Sequence, residues 1–79
     1  MKENIIDLII ELTDYDLRQN PNIDLIEEDI LDSLAFIELV SSLEEMYDIE
    51  IQPTQVPDNT WRSVNNIVKM VEKLLNERK

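Results

Sequence analysis

Apolar residues in the N-terminal segment recur at the spacing of one helix face. Ile5, Leu8, Ile9 and Leu12 recur three or four residues apart, and Ile6 and Ile10 widen the stripe. This spacing is typical of an amphipathic helix that buries one side. We therefore predict a first helix from Lys2 to about Asp14.

A second apolar pattern predicts a helix that begins near Asp32 or Ser33 and ends near Tyr47. Either of the first two residues can cap it, because a side-chain oxygen accepts a hydrogen bond from an unpaired amide of the first turn. The stripe that we expect to be buried consists of Phe36, Ile37, Val40, Leu43 and Tyr47.

The last helix is expected to start after Ser63, which is a favourable N-cap residue. Its inward positions are Val64, Ile67, Val68, Val71, Leu74 and Leu75. Arg78 and Lys79 would complement the negative end of its dipole. Trp61, just before this helix, is interpreted as a packing residue.

The connections between these helices differ in character. The first, from Tyr15 to Leu31, is long and is interrupted at Pro21. Its apolar residues should pack on the helices: Ile23, Leu25, Ile26, Ile30 and Leu31. The second connection alternates at Ile49 and Ile51, which predicts an extended or turn-like stretch, and one short helical turn is expected before Trp61. The expected fold is all-α, a small bundle of three main helices plus a short extra helix, in one domain over 1–79.

Composition narrows the function. The 79 residues include no histidine and no cysteine, so the commonest general base, a cysteine nucleophile and a thiolate metal site are all excluded. The acidic residues before Ser33 lack the spacing and the glycine of a calcium loop, and we expect no metal site. The sequence therefore argues against an enzyme.

The charge indicates the kind of partner. The net charge is −11, and residues 19–61 contain eleven acidic residues and no lysine or arginine. Such a surface repels nucleic acid and attracts basic protein surfaces. Since no signal sequence or membrane-spanning run is evident, we expect a soluble, cytoplasmic monomer that does not insert into membranes.

One motif points to covalent modification. Asp32-Ser33-Leu34 stands where the acidic connection meets the second helix, and Ile37-Glu38-Leu39-Val40 and Leu43-Glu44-Glu45 follow. A helix N-terminus stabilises a phosphate ester there. These residues resemble the attachment motif and second helix of the phosphopantetheine-dependent acyl carrier protein family, and the resemblance covers essentially the whole chain.

The resemblance implies the chemistry. A phosphopantetheinyl transferase would use magnesium to move 4′-phosphopantetheine from coenzyme A onto Ser33, and the cargo would be bound to its thiol as a thioester. By the same match, Asp32 supports transferase recognition and Leu34 is the apolar contact beside the prosthetic group. The residues that match the family's partner-docking face are Glu38, Glu44, Glu45 and Asp48. The family also commonly has a glycine three or four residues before the serine, where this chain has Ile30 or Asp29; aspartate tolerates the left-handed backbone region.

Two stretches resemble the D-alanyl carriers in particular: residues 20–33 and the run from Trp61 to Ile67. The leading hypothesis is therefore D-alanine as cargo, delivered by an aminoacyl-activating ligase and received by an acyltransferase or synthase. A fatty acid or polyketide carrier is the alternative within the family. Two alternatives outside this function are an unmodified acidic interaction module and a carrier-like fold that has lost its prosthetic group.

Overall fold

The structure, a computed structural model, describes residues 1–77. It contains three α-helices: α1 (Lys2–Thr13), α2 (Ser33–Tyr47) and α3 (Val64–Glu77). Two 3₁₀ turns, Pro53–Gln55 and Asp58–Arg62, lie between α2 and α3. Residues 1–77 contain no β-strand, and the predicted all-α bundle is confirmed. Arg78 and Lys79, which were predicted to complement the dipole of α3, lie outside the described residues.

Aspartates and a serine form the helix ends. Asp14 follows α1 with φ 60° and donates its N–H to the Ile10 carbonyl, and Asp48 follows α2 with φ 52°. Only glycine adopts this left-handed conformation freely, and aspartate is among the few other residues that tolerate it. Because the chain has no glycine, aspartate takes that place. At the start of α3, Ser63 Oγ accepts the Asn66 N–H at 3.1 Å, as predicted.

A single hydrophobic core lies among the three helices, and α1 packs against both α2 and α3. The largest fully buried side chains are Ile5, Ile9, Leu17, Leu25, Leu39, Leu43, Val64, Ile67 and Val71. They come from all three helices and from the first connection. The core therefore joins the connection before α2 to the helices, as its apolar residues predicted.

The buried face of α2 differs from the prediction. Ala35, Leu39 and Leu43, spaced four residues apart, face the core. Ile37 was expected inside but is 63% exposed, and Phe36, Val40 and Tyr47 are only half-buried. Periodicity could not separate these faces, because apolar residues lie on both sides of α2 and only contact with α1 and α3 selects one.

The connections agree with the sequence in most respects. Leu25 and Leu31 are buried, whereas Ile26 was expected to pack and is 41% exposed. Ile49 and Ile51 are buried in a stretch without regular secondary structure, and residues 1–77 contain no strand that could pair with it. The two 3₁₀ turns replace the single short turn that was predicted. No helix within residues 1–77 has the length and apolar character needed to cross a membrane.

Candidate functional site

Ser33 is the first residue of α2, and its side chain lies in an exposed position. Asp32 precedes it in an extended conformation and is the N-cap. The Asp32 Oδ1 atom accepts the Ala35 N–H at 2.8 Å, and its carbonyl accepts the Phe36 N–H at 2.8 Å. One carboxylate oxygen of Asp32 thus caps the helix, which orients the first turn and the serine on it.

The approach segment (residues 24–31) leads to this helix end through a hydrogen-bonded turn. Asp24 Oδ1 accepts the N–H groups of Ile26 and Glu27 at 3.0 and 2.9 Å. The Leu25 carbonyl accepts the N–H groups of Ile30 and Leu31, both at 3.0 Å. The turn therefore closes on Leu25, only a few residues before Ser33.

Asp29 lies in the left-handed region, with φ 58°. This is one of the two positions where the family commonly has glycine, and the structure places it in the conformation that favours glycine. Its N–H donates to the Ile26 carbonyl at 3.0 Å. The approach segment of this chain thus makes a left-handed turn without a glycine.

A shallow apolar groove lies beside Ser33. It is lined by Ile26, Leu31, Asp32, Ser33, Phe36 and Ile37. Leu34, the residue that follows the serine, is 67% exposed. Exposed large apolar side chains grouped around one polar residue are typical of an interaction surface. Ile37 was missed as part of this surface, although its three-residue distance from Leu34 could have indicated a shared helix face.

An aromatic pair lies one turn after the serine. The rings of Phe36 and Trp61 meet edge to face, with centroids 5.0 Å apart and planes at 90°. Such a pair contributes about 0.5–1.5 kcal/mol beyond the apolar area that it buries. Trp61 is 6% exposed, which confirms that it is a packing residue. Through this pair, the second 3₁₀ turn contacts the first turns of α2.

The acidic residues predicted to dock partners do not share one environment. Glu38, Glu45 and Asp48 are exposed, and Asp48 is also the left-handed residue that ends α2. Glu44 is half-buried, and its Oε2 accepts the Ile51 N–H at 2.9 Å. The Glu44 carboxylate therefore has a structural contact with the segment that follows α2.

Hydrogen bonds hold the pKa of the Asp24 carboxyl below its usual value. The largest contribution comes from the Glu27 N–H, and the Arg62 side chain and the Ile26 N–H lower the pKa further, against partial burial, which raises it. Arg62 Nη1 lies 2.8 Å from Asp24 Oδ2. Sequence reasoning assigned no role to Arg62, although it is the sole cationic side chain between Arg18 and Lys69.

The arrangement presents a hydroxyl group for modification. Ser33 is accessible, and the N-terminus of α2 provides amide dipoles that favour the negative charge of a phosphodiester. The site thus fits a covalently attached phosphate group. In residues 1–77, no group of three or more histidine, cysteine, aspartate or glutamate side chains could hold a metal ion.

Comparisons with known proteins identify the family. The sequence model described as "Phosphopantetheine attachment site" matches residues 3–71. The D-alanyl carrier protein of Bacillus subtilis is 32% identical over 74 residues, which are 92% of this chain and 95% of the relative. That of Lactococcus lactis subsp. cremoris is 36% identical over 78 residues, or 98% of this chain and 99% of the relative. That of Lactobacillus acidophilus is 30% identical over 76 residues, 96% of each chain.

The family model extends from the first turn of α1 into α3 and includes Asp32 and Ser33 at the start of α2. A protein of this kind interacts with the enzymes that modify it. The chain therefore belongs to the family of phosphopantetheine-carrying carrier proteins, which hold a group for other enzymes and are not themselves catalysts.

Proposed function

We propose that this protein carries D-alanine as a thioester on 4′-phosphopantetheine attached to Ser33. The observation that supports the attachment residue most strongly is its position: an exposed serine at the first position of α2, directly after the capping Asp32. It also lies within the residues that match the phosphopantetheine family. The cargo is inferred from the relatives, which are named D-alanyl carrier proteins and match this chain over nearly their full length.

In the proposed reaction, a phosphopantetheinyl transferase binds the carrier and coenzyme A together with magnesium. The Ser33 hydroxyl loses its proton and forms the new bond to phosphorus, while the bond to the adenosine bisphosphate leaving group breaks. When attached, the prosthetic group supplies the thiol that the cysteine-free chain lacks. Asp32 would orient the serine through its cap, and Leu34 would contact the transferase beside it.

The proposed partners are the transferase, an aminoacyl-activating ligase and an acyltransferase. Coenzyme A and aminoacyl adenylates are cytoplasmic compounds, so we place the protein in the cytoplasm. We also propose that 1–79 acts as a single carrier domain.

The proposed docking face runs along α2 from Leu34 and includes Asp48, the residue that follows the helix. Its exposed acidic residues, Glu38, Glu45 and Asp48, would attract basic partner surfaces, and its exposed Ile37 would add apolar contact. Electrostatic attraction speeds encounter and weakens with salt, which suits a protein that binds and releases several enzymes.

The first experiment measures the intact mass after incubation with coenzyme A, magnesium and a broad-specificity phosphopantetheinyl transferase. We expect a gain of one phosphopantetheine in the native protein and none in Ser33→Ala, with circular dichroism showing that both are folded. A gain that persists in Ser33→Ala would refute the assignment of Ser33. No gain with several transferases would favour an unmodified module.

A second experiment identifies the cargo. The loaded protein is incubated with ATP, alanine and a D-alanine-activating ligase, and the thioester is detected by mass. We expect transfer of D-alanine and little transfer of L-alanine. Loading by a fatty acyl-activating enzyme in place of this ligase would overturn the cargo assignment while leaving the carrier function intact.

A third experiment tests the docking face. The Glu38→Lys/Glu45→Lys variant should be loaded several-fold more slowly at low salt than Glu3→Lys/Glu11→Lys, which makes the same charge change on exposed positions of α1. Glu44 is left unchanged, because its hydrogen bond to Ile51 would be lost. Equal rates for the two variants would show that only total charge matters.

A further inference from the structure

Two adjacent residues of the second 3₁₀ turn contact the two segments that flank Ser33. Trp61 packs against Phe36, one turn into α2. Arg62 contacts the approach segment twice: its side chain pairs with Asp24, and its carbonyl accepts the Leu25 N–H at 2.6 Å. The second 3₁₀ turn itself packs against α3. The serine thus lies between two segments that both contact the second 3₁₀ turn.

The contacts of Arg62 continue toward the serine through the backbone. Leu25 is fully buried, and its carbonyl accepts the Leu31 N–H, two residues before Ser33. The same Asp24 carboxylate that pairs with Arg62 also closes the turn that places Ile26 in the groove beside Ser33. Arg62 is therefore connected, through Asp24 and Leu25, to both the backbone and the exposed surface of the approach segment.

We propose that Arg62 and Asp24 form a positioning ion pair that sets the approach segment against the N-terminus of α2 and so presents Ser33 to the phosphopantetheinyl transferase. This inference rests on Ser33 being the attachment residue. The pair does not contact the serine, and its effect is on geometry. The Leu25 N–H also donates to the backbone carbonyl of Arg62, and this bond does not involve the Arg62 side chain. Substitution of Arg62 should therefore loosen the approach segment without unfolding the protein.

The Arg62→Ala variant distinguishes an effect of the approach segment's position from an effect of net charge on loading. Arg62→Ala makes the protein more acidic, which should favour association with a basic enzyme surface. A slower reaction in this variant would therefore oppose the electrostatic trend. Arg18→Ala is the matched control, because Arg18 also forms an exposed ion pair, with Asp7, and its loss changes the charge equally.

The experiment measures transferase loading at several carrier concentrations and amide hydrogen exchange of the free protein. We expect Arg62→Ala to lower kcat/KM about three- to fivefold, through KM, which corresponds to the upper end of the range measured for exposed ion pairs. Arg18→Ala should stay within about 1.5-fold of the native protein. The amides of Leu25, Ile30 and Leu31 should exchange faster in Arg62→Ala, and remain protected in the control.

Further variants test the pair itself. Arg62→Lys should restore at least half of the kcat/KM that Arg62→Ala loses, because only one guanidinium nitrogen of Arg62 contacts Asp24 Oδ2 and a lysine nitrogen can take its place. Asp24→Asn should behave like Arg62→Ala, since its amide oxygen still accepts the N–H groups of Ile26 and Glu27. The double variant should be no slower than either single variant.

Each result decides the proposal. Equal loading of Arg62→Ala and Arg18→Ala would overturn it, as would additive losses in the double variant. Slower loading with unchanged exchange at Leu25 would also overturn it, because Arg62 would then contact the enzyme directly. If the native protein is not loaded at all, the proposed function fails, and the exchange measurement still decides whether the ion pair positions the segment.

Discussion

The left-handed conformation of Asp29 predicts that Asp29→Gly stabilises the protein. At φ 58°, a residue with a Cβ atom is strained by about 1–2 kcal/mol, with aspartate at the low end of that range. Glycine removes the strain but loses about 0.5–1 kcal/mol more conformational entropy on folding than alanine. We therefore expect Asp29→Gly to be about 1 kcal/mol more stable than Asp29→Ala, with the native protein between them.

The comparison with alanine isolates the backbone effect. Both substitutions remove the same charge from a strongly acidic segment, so electrostatic relief cancels between them. Asp16 is the matched control, because it is exposed, lies in the same connection and is absent from the positions with positive φ. There the order should reverse, and Asp16→Gly should be about 0.5–1 kcal/mol less stable than Asp16→Ala.

Urea unfolding followed by the fluorescence of Trp61 measures these differences. Trp61 is the sole tryptophan of the chain, and it is 6% exposed beside Phe36, so its emission should change when the core opens. In a thermal melt of the same variants, a difference of about 1 kcal/mol would shift the midpoint of a domain of this size by roughly 4–8 °C. The reasoning is refuted if glycine is the less stable substitution at both positions.

Three further predictions concern groups outside the motif. Tyr47→Phe should leave stability unchanged or raise it by up to about 1–3 kcal/mol, because the buried Tyr47 hydroxyl has no hydrogen-bond partner; a marked loss in urea unfolding would contradict this. Asp14→Asn should stabilise α1 by about 0.3–1 kcal/mol, because asparagine also tolerates φ 60° and the change removes a negative charge from the negative end of the helix dipole. If the dipole is unimportant, circular dichroism melts would show a midpoint for this variant equal to or below that of the native protein. Because the pKa of Asp24 is lowered, its carboxylate stabilises the folded protein above the ordinary value of 3.8, and this contribution is lost as the pH falls through the lowered pKa. In urea unfolding at pH 5 and at pH 2, Asp24→Asn should therefore lose less stability than the native protein, and an equal loss would contradict this.

Local features of the sequence were sufficient for the elements and for the position of the motif. The spacing of apolar residues predicted α1 and α3, and the capping residues Asp32 and Ser63 predicted where α2 and α3 begin. These signals are local, because a helix buries one face and needs side-chain acceptors for its first amides. The accessible serine at the start of α2 follows from the same argument.

The orientation of α2 could not be predicted in this way. Ile37 and Leu39 are both apolar, yet one is exposed and the other is fully buried. A helix with apolar residues on two sides has no unique inner face until its neighbours pack against it. Contact with α1 and α3 selected Leu39 and left Ile37 on the surface near Ser33.

What the sequence determined by itself was the class of the protein: an acidic, three-helix domain without histidine or cysteine, and a serine at a helix start that resembles a carrier's attachment site. Only the tertiary structure decided how that serine is surrounded. The contact of Arg62 with Asp24 joins residues 38 positions apart in the chain, and the contact of Trp61 with Phe36 joins two further distant segments. Hydrophobic periodicity and capping act within a few residues, whereas these contacts exist only after the core has brought the segments together.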